Sequence, residues 1–292
     1  MPAKTSMAPL PAAEDRSAAT VSEAARSQLL DTGCAVVPGV LTAAQVAEGL
    51  DCVWSAAREV RRRGGETFMP QLDPNASSVR VFGLLGMAPL FRRLIRHRVA
   101  LALVETLLGE DFLISNFTAN IARPGARSMT LHSDQALVIP EPWLAPWSIN
   151  IIWCLTDVRF ENGATLFIPG SHRVSARSEL PADPEALLVP ITAAAGSIVA
   201  MDGRVWHTSG ANTTKDEDRA LLFGYYSADF IRPQVNWNAA LSPEAQADLD
   251  PRMRRWLALE ATANHRIAGH LLGPEPRPFD RHPATRNLDD FR

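Results

Sequence analysis

The spacing of apolar side chains changes near the middle of the chain, from helical periodicity to the pattern of strands. Residues 43–63 place apolar side chains on roughly one face of a helix, with Thr42 in the position of an N-cap. Residues 20–30 and 89–108 also have helical spacing, and Gly33 follows the first of them as a C-terminal cap often does. The N-terminal part, about 20–108, is therefore predicted to be helical.

Short apolar runs separated by turn residues follow this helical part, and they predict β-strands. Further turns come from Glu161-Asn162-Gly163 and from Pro169-Gly170. Such a series is typical of an all-β sandwich or barrel, here over about 110–230. The predicted strands, including one near the N-terminus, are 34–41, 112–121, 131–139, 148–158, 165–168, 197–201 and 220–230.

The domain organisation follows from these regions and from the ends of the chain. Residues 1–18 are rich in Ala, Pro and Ser and predict a disordered tail without the apolar run of a signal peptide. Residues 19–292 are predicted to form a single domain, whose last part, 231–292, is a partly helical segment beyond the β-region.

Composition narrows the classes of partner and the cellular compartment. A formal net charge of -3 gives no indication of nucleic acid or an anionic membrane as partner. Cys34, Cys52 and Cys154 are odd in number and far apart, which fits no disulfide framework and favours a reducing cytoplasm. No apolar run is long enough to cross a bilayer. A homodimer is compatible with the sequence.

One short motif carries the chemistry. His132 and Asp134 are two residues apart, so an extended backbone would point both side chains to one face. With a second histidine they would form the two-histidine, one-carboxylate triad that binds Fe(II) and leaves coordination positions open. The pair alone is a pattern of low specificity, because most such pairs bind no metal.

Two histidines are candidates for the third ligand. His207 follows a strand and a tight Asp202-Gly203 turn, which would hold it rigidly at the rim of a sheet. His172 follows a Pro-Gly turn in what we predict to be a more exposed setting, and it remains the weaker alternative. His97 is expected on the solvated face of an arginine-rich helix, and the remaining histidines lie beyond the β-region.

Arg219 stands at the head of an apolar strand, where burial of its guanidinium requires an anion. A carboxylate matches the planar guanidinium with two parallel hydrogen bonds. The anion is either a bound carboxylate cosubstrate, to which Thr165 and Ser209 could donate, or an acid of the chain itself. The acids near it in sequence are Asp202, Asp216, Glu217 and Asp218.

In its ordered set of motifs the chain resembles the phytanoyl-CoA dioxygenase family of Fe(II)/2-oxoglutarate-dependent oxygenases. The resemblance implies a mainly β fold with flanking helices, namely a double-stranded β-helix, or jelly roll, with the N-terminal helices packed on it. The matching segments are Gly33–Leu41, Leu131–Gln135, Glu161–Thr165, Pro169–His172, Gly196–Val199, His207–Asn212 and Arg219.

The same resemblance implies the cofactors and their ligands. His132, Asp134 and His207 would bind Fe(II), and the cosubstrates would be 2-oxoglutarate and O₂, with release of succinate and CO₂. Because related halogenases have a small residue in place of the carboxylate, the presence of Asp134 implies that the enzyme does not halogenate. The implied contacts with 2-oxoglutarate are Arg219, Thr165, Ser209, Asn120 and Asn150.

The expected reaction is hydroxylation, desaturation or ring formation on an apolar or ring-containing small molecule. Residues 80–85 and Pro142-Trp143 most resemble enzymes that tailor secondary metabolites. Trp143, Trp147 and Trp237 either line the substrate pocket or cover the β-core. Two other classes remain open: a cupin-like metal enzyme that does not use 2-oxoglutarate, and a non-catalytic jelly roll that binds a ligand.

Overall fold

The computed structural model describes residues 21–259, so the predicted tail at 1–18 and most of the C-terminal segment lie outside the described residues. Four helices precede most of the strands and three short ones follow them. The helices are α1 Glu23–Thr32, α2 Ala43–Arg62, α3 Pro89–Ile95, α4 Arg98–Leu108, α5 Trp237–Ala240, α6 Pro243–Ala247 and α7 Pro251–Trp256.

Two antiparallel sheets form the β-region. The strands are β1 Cys34–Val37, β2 Ser78–Val81, β3 Phe112–Ala122, β4 Ser148–Cys154, β5 Thr165–Phe167, β6 Val189–Pro190, β7 Ile198–Asp202, β8 His207–Ser209 and β9 Arg219–Ala228. The larger sheet has the order β1-β7-β4-β9-β3-β2, and the smaller sheet has the order β6-β5-β8. This mainly β architecture with flanking helices is the predicted double-stranded β-helix.

The larger sheet is covered on both faces, which explains why its central strand is apolar along most of its length. All seven residues of β4 are buried. Ile151 and Trp153 belong to the main core, formed with the helices, and α4 packs against β4, β7 and β9. Ile152 and Cys154 belong to a second apolar cluster, which also contains Phe167 of the smaller sheet. A strand buried on both faces loses the alternation of a half-exposed strand.

The helical part departs from the prediction in two places: it contains the strand β2, which was not predicted, and one predicted helix is broken. Thr42 and Gln45 form a capping box that starts α2 at the predicted residue. The predicted helix 89–108 is two helices, because His97 has an extended backbone and its Nδ1 accepts a hydrogen bond from Val99 N. The ring of His97 packs edge-on against Trp153, 5.5 Å between centroids, so its expected place on a solvated face is wrong.

The predicted strand at 131–139 is also wrong. It contains one isolated bridge, at His132, followed by a 3-10 helix over Gln135–Leu137. Leu131 is buried in a small apolar cluster with Trp143. Gln135 is also buried, and its side-chain amide donates to Ala145 O and accepts from Trp147 N. This segment is therefore a loop, held by a small apolar cluster that includes Leu131 and Ile139 and by the amide hydrogen bonds of Gln135. The other predicted strands occur with ends shifted by a few residues.

No helix within residues 21–259 combines the length and the apolar character needed to cross a membrane.

Candidate metal centre and anion pocket

The two histidines of the predicted triad face each other across paired backbones. His132 N donates to His207 O at 2.9 Å, and His207 N donates to His132 O at 2.8 Å. Their ring centroids are 4.3 Å apart. The backbone pairing therefore fixes two imidazoles side by side, where β8 begins in the smaller sheet.

Each imidazole is oriented by a carbonyl two residues earlier in its own chain segment. Nδ1 of His132 lies 2.8 Å from Thr130 O, and Nδ1 of His207 lies 2.9 Å from Val205 O. Because a carbonyl oxygen only accepts, both Nδ1 atoms must carry the hydrogen, which leaves each Nε2 as a free lone pair in the neutral ring. Burial lowers the pKa of His207 and so favours this neutral form.

Asp134 completes the cluster. Its Oδ1 lies 3.8 Å from Nε2 of both His132 and His207, and the three ligand atoms lie within 4.8 Å of one another. The predicted reason for this proximity is wrong, because Asp134 has a helical backbone (φ -65°, ψ -32°) and does not lie in a strand. Two neutral nitrogens and a carboxylate on one side of a small space are a suitable ligand set for a divalent metal ion.

The segment that carries Asp134 is held by the turn before His207. Ser133 Oγ and Gln135 N both donate to Gly203 O, each at 2.7 Å. A Cβ at Gly203 would lie 1.9 Å from Ser148 Oγ and 2.9 Å from Ser148 O, so only glycine allows this close approach. The Asp-Gly turn therefore positions two ligands, His207 directly and Asp134 through its neighbours.

Two further side chains contact Asp134. Asn150 Nδ2 donates to Asp134 Oδ2 at 2.8 Å, and Tyr225 Oη donates to Asp134 O at 3.1 Å. Burial raises the pKa of Tyr225, so its hydroxyl stays protonated as a donor. Sequence analysis did not find Tyr225, although alternation along β9 from Arg219 places it on the same face.

The alternative ligand, His172, lies away from the cluster. Its Nε2 is 3.0 Å from Leu30 O, and the residue is 5% exposed, so the predicted exposed setting is wrong. A Cβ at Gly33 would be 2.7 Å from Nδ1 of His172, so the imidazole packs closely against the end of α1. His172 belongs to the contact between α1 and the β-region.

Arg219 is a buried cation at the start of β9, with only neutral partners. Nε donates to Gly163 O at 3.1 Å and Nη1 donates to Asn120 Oδ1 at 3.2 Å. Burial lowers its pKa to about 10, so the guanidinium is still charged at neutral pH. Within residues 21–259 it forms no ion pair, and three of the four acids considered as partners pair elsewhere: Asp202 with Arg204, Glu217 with Arg159, and Asp218 with Arg123.

The two predicted hydroxyls lie on the same face as His207. Thr165 of β5 pairs with Ser209 of β8, and Phe167 pairs with His207. Because alternate residues of a strand share a face, Thr165, Ser209 and His207 point to the same side. Ser209 Oγ accepts a hydrogen bond from Met129 N at 3.1 Å, which leaves its own hydrogen available to a ligand.

The two predicted asparagines have different surroundings. Asn120 accepts a hydrogen bond from Arg219, whereas Asn150 donates one to Asp134 of the metal cluster. Arg80 pairs with Asn120 across β2 and β3, and the pKa of Arg219 is also lowered by the charge of Arg80. Arg80 itself donates twice to Asp73 Oδ1, a buried ion pair that sequence analysis missed.

The tryptophans divide between core and surface. Trp143 and Trp237 are 2% and 1% exposed and belong to apolar clusters, so they cover the core as one of the two expectations held. Trp147 is partly exposed, and its ring contacts Phe230 edge-on with 6.0 Å between centroids. Of the three, Trp147 is therefore the one whose ring is partly open to solvent.

A jelly roll that holds two histidines and a carboxylate, and also a buried arginine with no ion pair within residues 21–259, has the arrangement of a non-haem iron oxygenase. Residues 29–220 match the family model described as phytanoyl-CoA dioxygenase (PhyH). The chain belongs to the phytanoyl-CoA dioxygenase family. It is thus a non-haem iron dioxygenase, and the cofactors of its family are Fe(II), 2-oxoglutarate and O₂.

Individual relatives agree with the family assignment. The chain is 49% identical to the dioxygenase af480 of Aspergillus fumigatus, over 81% of this chain and 77% of the relative. Among solved structures, it resembles the non-haem α-ketoglutarate-dependent carbocyclase SnoK from nogalamycin biosynthesis, with a TM-score of 0.60 and 22% identity over 76% and 91% of the two chains.

A second solved structure is the epimerase SnoN in complex with Fe³⁺, α-ketoglutarate and nogalamycin RO, with a TM-score of 0.59 and 23% identity over 78% and 92% of the two chains. Both structural likenesses concern the fold, and they support the double-stranded β-helix.

Proposed function

We propose that the chain binds Fe(II) through His132, Asp134 and His207, binds 2-oxoglutarate through Arg219, and oxidises an apolar or ring-containing small molecule. The proposed reaction is hydroxylation, desaturation or ring formation, with release of succinate and CO₂. When bound, Fe(II) and 2-oxoglutarate together supply the O₂-activating chemistry of this family. The observation that carries the proposal is the convergence of two Nε2 atoms on one carboxylate oxygen, each 3.8 Å from Asp134 Oδ1.

The residues present fit both groups. Each imidazole directs Nε2 towards the carboxylate, because its Nδ1–H is bonded to a carbonyl on the other side of the ring. Arg219 supports the cosubstrate site, since a buried guanidinium with only neutral acceptors is stabilised by a carboxylate. Thr165 and Ser209 are proposed to donate hydroxyl hydrogen bonds to the same carboxylate, because they share a face with His207.

The proposed substrate class rests on two partly exposed aromatic side chains and on the relatives. Trp147 and Phe230 offer aromatic surface in the segments that flank the site. The named solved structures come from the biosynthesis of nogalamycin, and a role in secondary metabolism is proposed here by analogy with them. Because Asp134 fills the ligand position that a chloride would need, the reaction is proposed not to be halogenation.

The alternatives make different predictions. A cupin-like enzyme without 2-oxoglutarate would leave Arg219 without an anion. In a non-catalytic jelly roll, His132, Asp134 and His207 would only hydrogen-bond one another and would bind no metal. Membership of a dioxygenase family argues against this alternative.

Succinate release from 2-oxoglutarate tests the proposal. It should require Fe(II) and should fall to the metal-free background in Asp134→Ala, because that variant removes the carboxylate ligand. Asp31→Ala, a change of an exposed aspartate at the end of α1, is the matched control and should behave as wild type. Unchanged succinate release by Asp134→Ala would overturn the proposed site.

A further inference from the structure

Asp134 lies in a segment with little regular structure, yet the metal site needs its carboxylate in one orientation. Ser133 Oγ and Gln135 N, on either side of Asp134, both donate to Gly203 O, and these contacts hold the main chain of Asp134 without fixing its side chain. A carboxylate has two equivalent oxygens and a broad torsion about its last bond. Something other than the backbone must therefore select which oxygen faces the histidines.

Asn150 contacts the carboxylate at the oxygen that points away from the histidines. Its Nδ2 donates to Oδ2 at 2.8 Å, while Oδ1 lies 3.8 Å from both Nε2 atoms. The direction of the amide is not in doubt, since an ionised carboxylate only accepts. The two oxygens of Asp134 thus have separate surroundings, one facing the amide and one facing the imidazoles.

Asn150 is held in place by the most rigid part of the fold. It lies in the middle of β4, paired with Met201 of β7 on one side and with Tyr225 of β9 on the other. It is 7% exposed, and its own Oδ1 is buried without a hydrogen-bond partner among the described residues. An apolar residue here would avoid this cost of an unsatisfied oxygen, so the amide hydrogen must serve another need.

Tyr225, directly opposite Asn150, contacts the other part of the same residue. Its hydroxyl donates to the main-chain carbonyl of Asp134 at 3.1 Å. Neighbouring positions on β4 and β9 therefore hold Asp134 at two points, the carboxylate and the backbone.

We infer that Asn150 is a positioning residue that holds Asp134 as a ligand through Oδ1 alone, with Tyr225 supporting the backbone. By occupying Oδ2, the amide prevents the carboxylate from turning both oxygens towards the metal. A carboxylate that binds through both oxygens would take one of the positions that cosubstrate and O₂ need. This inference rests on the proposed function, because it assumes the metal site described above.

The test compares Asn150→Leu with a matched asparagine on the same face. Asn116 lies opposite Tyr225 on β3 and donates to Gln234, so Asn116→Leu removes a comparable amide away from the metal cluster. For both variants and for Tyr225→Phe, three quantities are measured: the dissociation constant for Ni(II) by calorimetry, the visible absorption of the anaerobic Fe(II)–2-oxoglutarate complex, and the midpoint of thermal unfolding.

The expected result is specific to the metal. Asn150→Leu should weaken Ni(II) binding by about 10–100-fold, the usual effect of removing a hydrogen bond to a metal ligand, and should shift the visible absorption of the Fe(II)–2-oxoglutarate complex. Tyr225→Phe should have a smaller effect in the same direction. Asn116→Leu should bind Ni(II) with the affinity of wild type.

Two results would overturn the inference while leaving the proposed function intact. In one, Asn150→Leu binds Ni(II) like wild type with an unshifted spectrum. In the other, Asn150→Leu and Asn116→Leu lose affinity and thermal stability to the same extent, which would indicate a structural role only. Ni(II) binding by Asp134→Ala with wild-type affinity would instead contradict the metal site itself, and the inference would fail with it.

Discussion

The guanidinium of Arg219 is removed from water, and no residue in the described part of the chain supplies an opposite charge to it. Gly163 O and Asn120 Oδ1 satisfy two of its donors, and both acceptors are neutral. Carbonyl and amide oxygens offset part of the desolvation of a guanidinium, and a bound carboxylate would offset more. The stability of this residue and the binding of an anion are therefore linked.

Arg219→Leu is expected to weaken the binding of 2-oxoglutarate to the Ni(II)-loaded protein by about 30-fold or more. The loss of a buried charged partner typically costs at least about 2 kcal/mol, which corresponds to that factor. Titration calorimetry would measure the dissociation constant. Arg159→Leu, which breaks a half-exposed ion pair with Glu217, is the control, and equal weakening in both variants would contradict the assignment of the anion pocket to Arg219.

Among the elements, the turn between β7 and β8 has the largest influence on the site. It brings His207 to the head of β8 and offers Gly203 O to the segment of Asp134. Its approach to Ser148 at the start of β4 leaves no space for a side chain. A single turn thus links the larger sheet, the smaller sheet and the loop of the third ligand.

Gly203→Ala is expected to destabilise the protein by about 1–3 kcal/mol, because the added methyl group forces the turn away from Ser148. Metal affinity should fall as well, since the shift moves the carbonyl that holds Ser133 and Gln135. Denaturant unfolding and Ni(II) titration would measure the two effects. At Gly86 a Cβ has its nearest neighbour 3.5 Å away, so Gly86→Ala should retain wild-type metal affinity.

The sequence predicted those elements whose signals are local. The capping residue Thr42 and the apolar face of α2 lie within one segment, and the helix begins where they indicate. The break at His97 has no proline or glycine to mark it and depends on packing against Trp153, which is distant in sequence. The strand expected at 131–139 failed because Leu131 and Ile139 pack into one small apolar cluster while Leu137 between them is exposed, an arrangement that depends on tertiary contacts with Trp143.

In the candidate site, too, the residues marked by local sequence patterns were predicted, and the contacts between residues distant in sequence were not. Residue type and spacing indicated His132, Asp134 and Arg219, and the turn before His207 favoured it over His172. The contacts of Tyr225 and Asn150 with Asp134 could not be read from spacing, because they depend on the pairing of β4 with β9. The ion pair of Arg80 with Asp73 likewise depends on how the loop before β2 folds back.

In the whole molecule, the two faces of the larger sheet have different roles: one packs in the main apolar core, and the other carries the residues of the candidate site. Its outer face and the helices form the main apolar core, and its inner face carries Arg219, Asn120, Asn150 and Tyr225. Changes to these four residues should therefore affect ligand binding more than global stability, since they leave the main core intact. Ligands that bind the folded inner face should in turn stabilise the whole domain.

Ni(II) and 2-oxoglutarate together are expected to raise the midpoint of thermal unfolding. At a concentration 100 times its dissociation constant, one ligand stabilises the folded state by about 2.7 kcal/mol. In a domain of this size, that corresponds to a shift of roughly 5–10 °C. Differential scanning calorimetry should show a further shift on adding 2-oxoglutarate to the Ni(II)-loaded wild type, and a shift no more than about a third as large for Arg219→Leu, in line with its weaker binding. An equal further shift in that variant would contradict the prediction.

The mutual backbone hydrogen bonds of His132 and His207 have a consequence for how the protein acquires its metal. Because the chain closes the contact between these two ligands when it folds, the ion does not have to bring them together. The conformational entropy of forming the chelate is lost during folding of the protein rather than during metal uptake. The metal-free protein is in this sense a preorganised chelator, which can exchange its ion without unfolding and refolding around it.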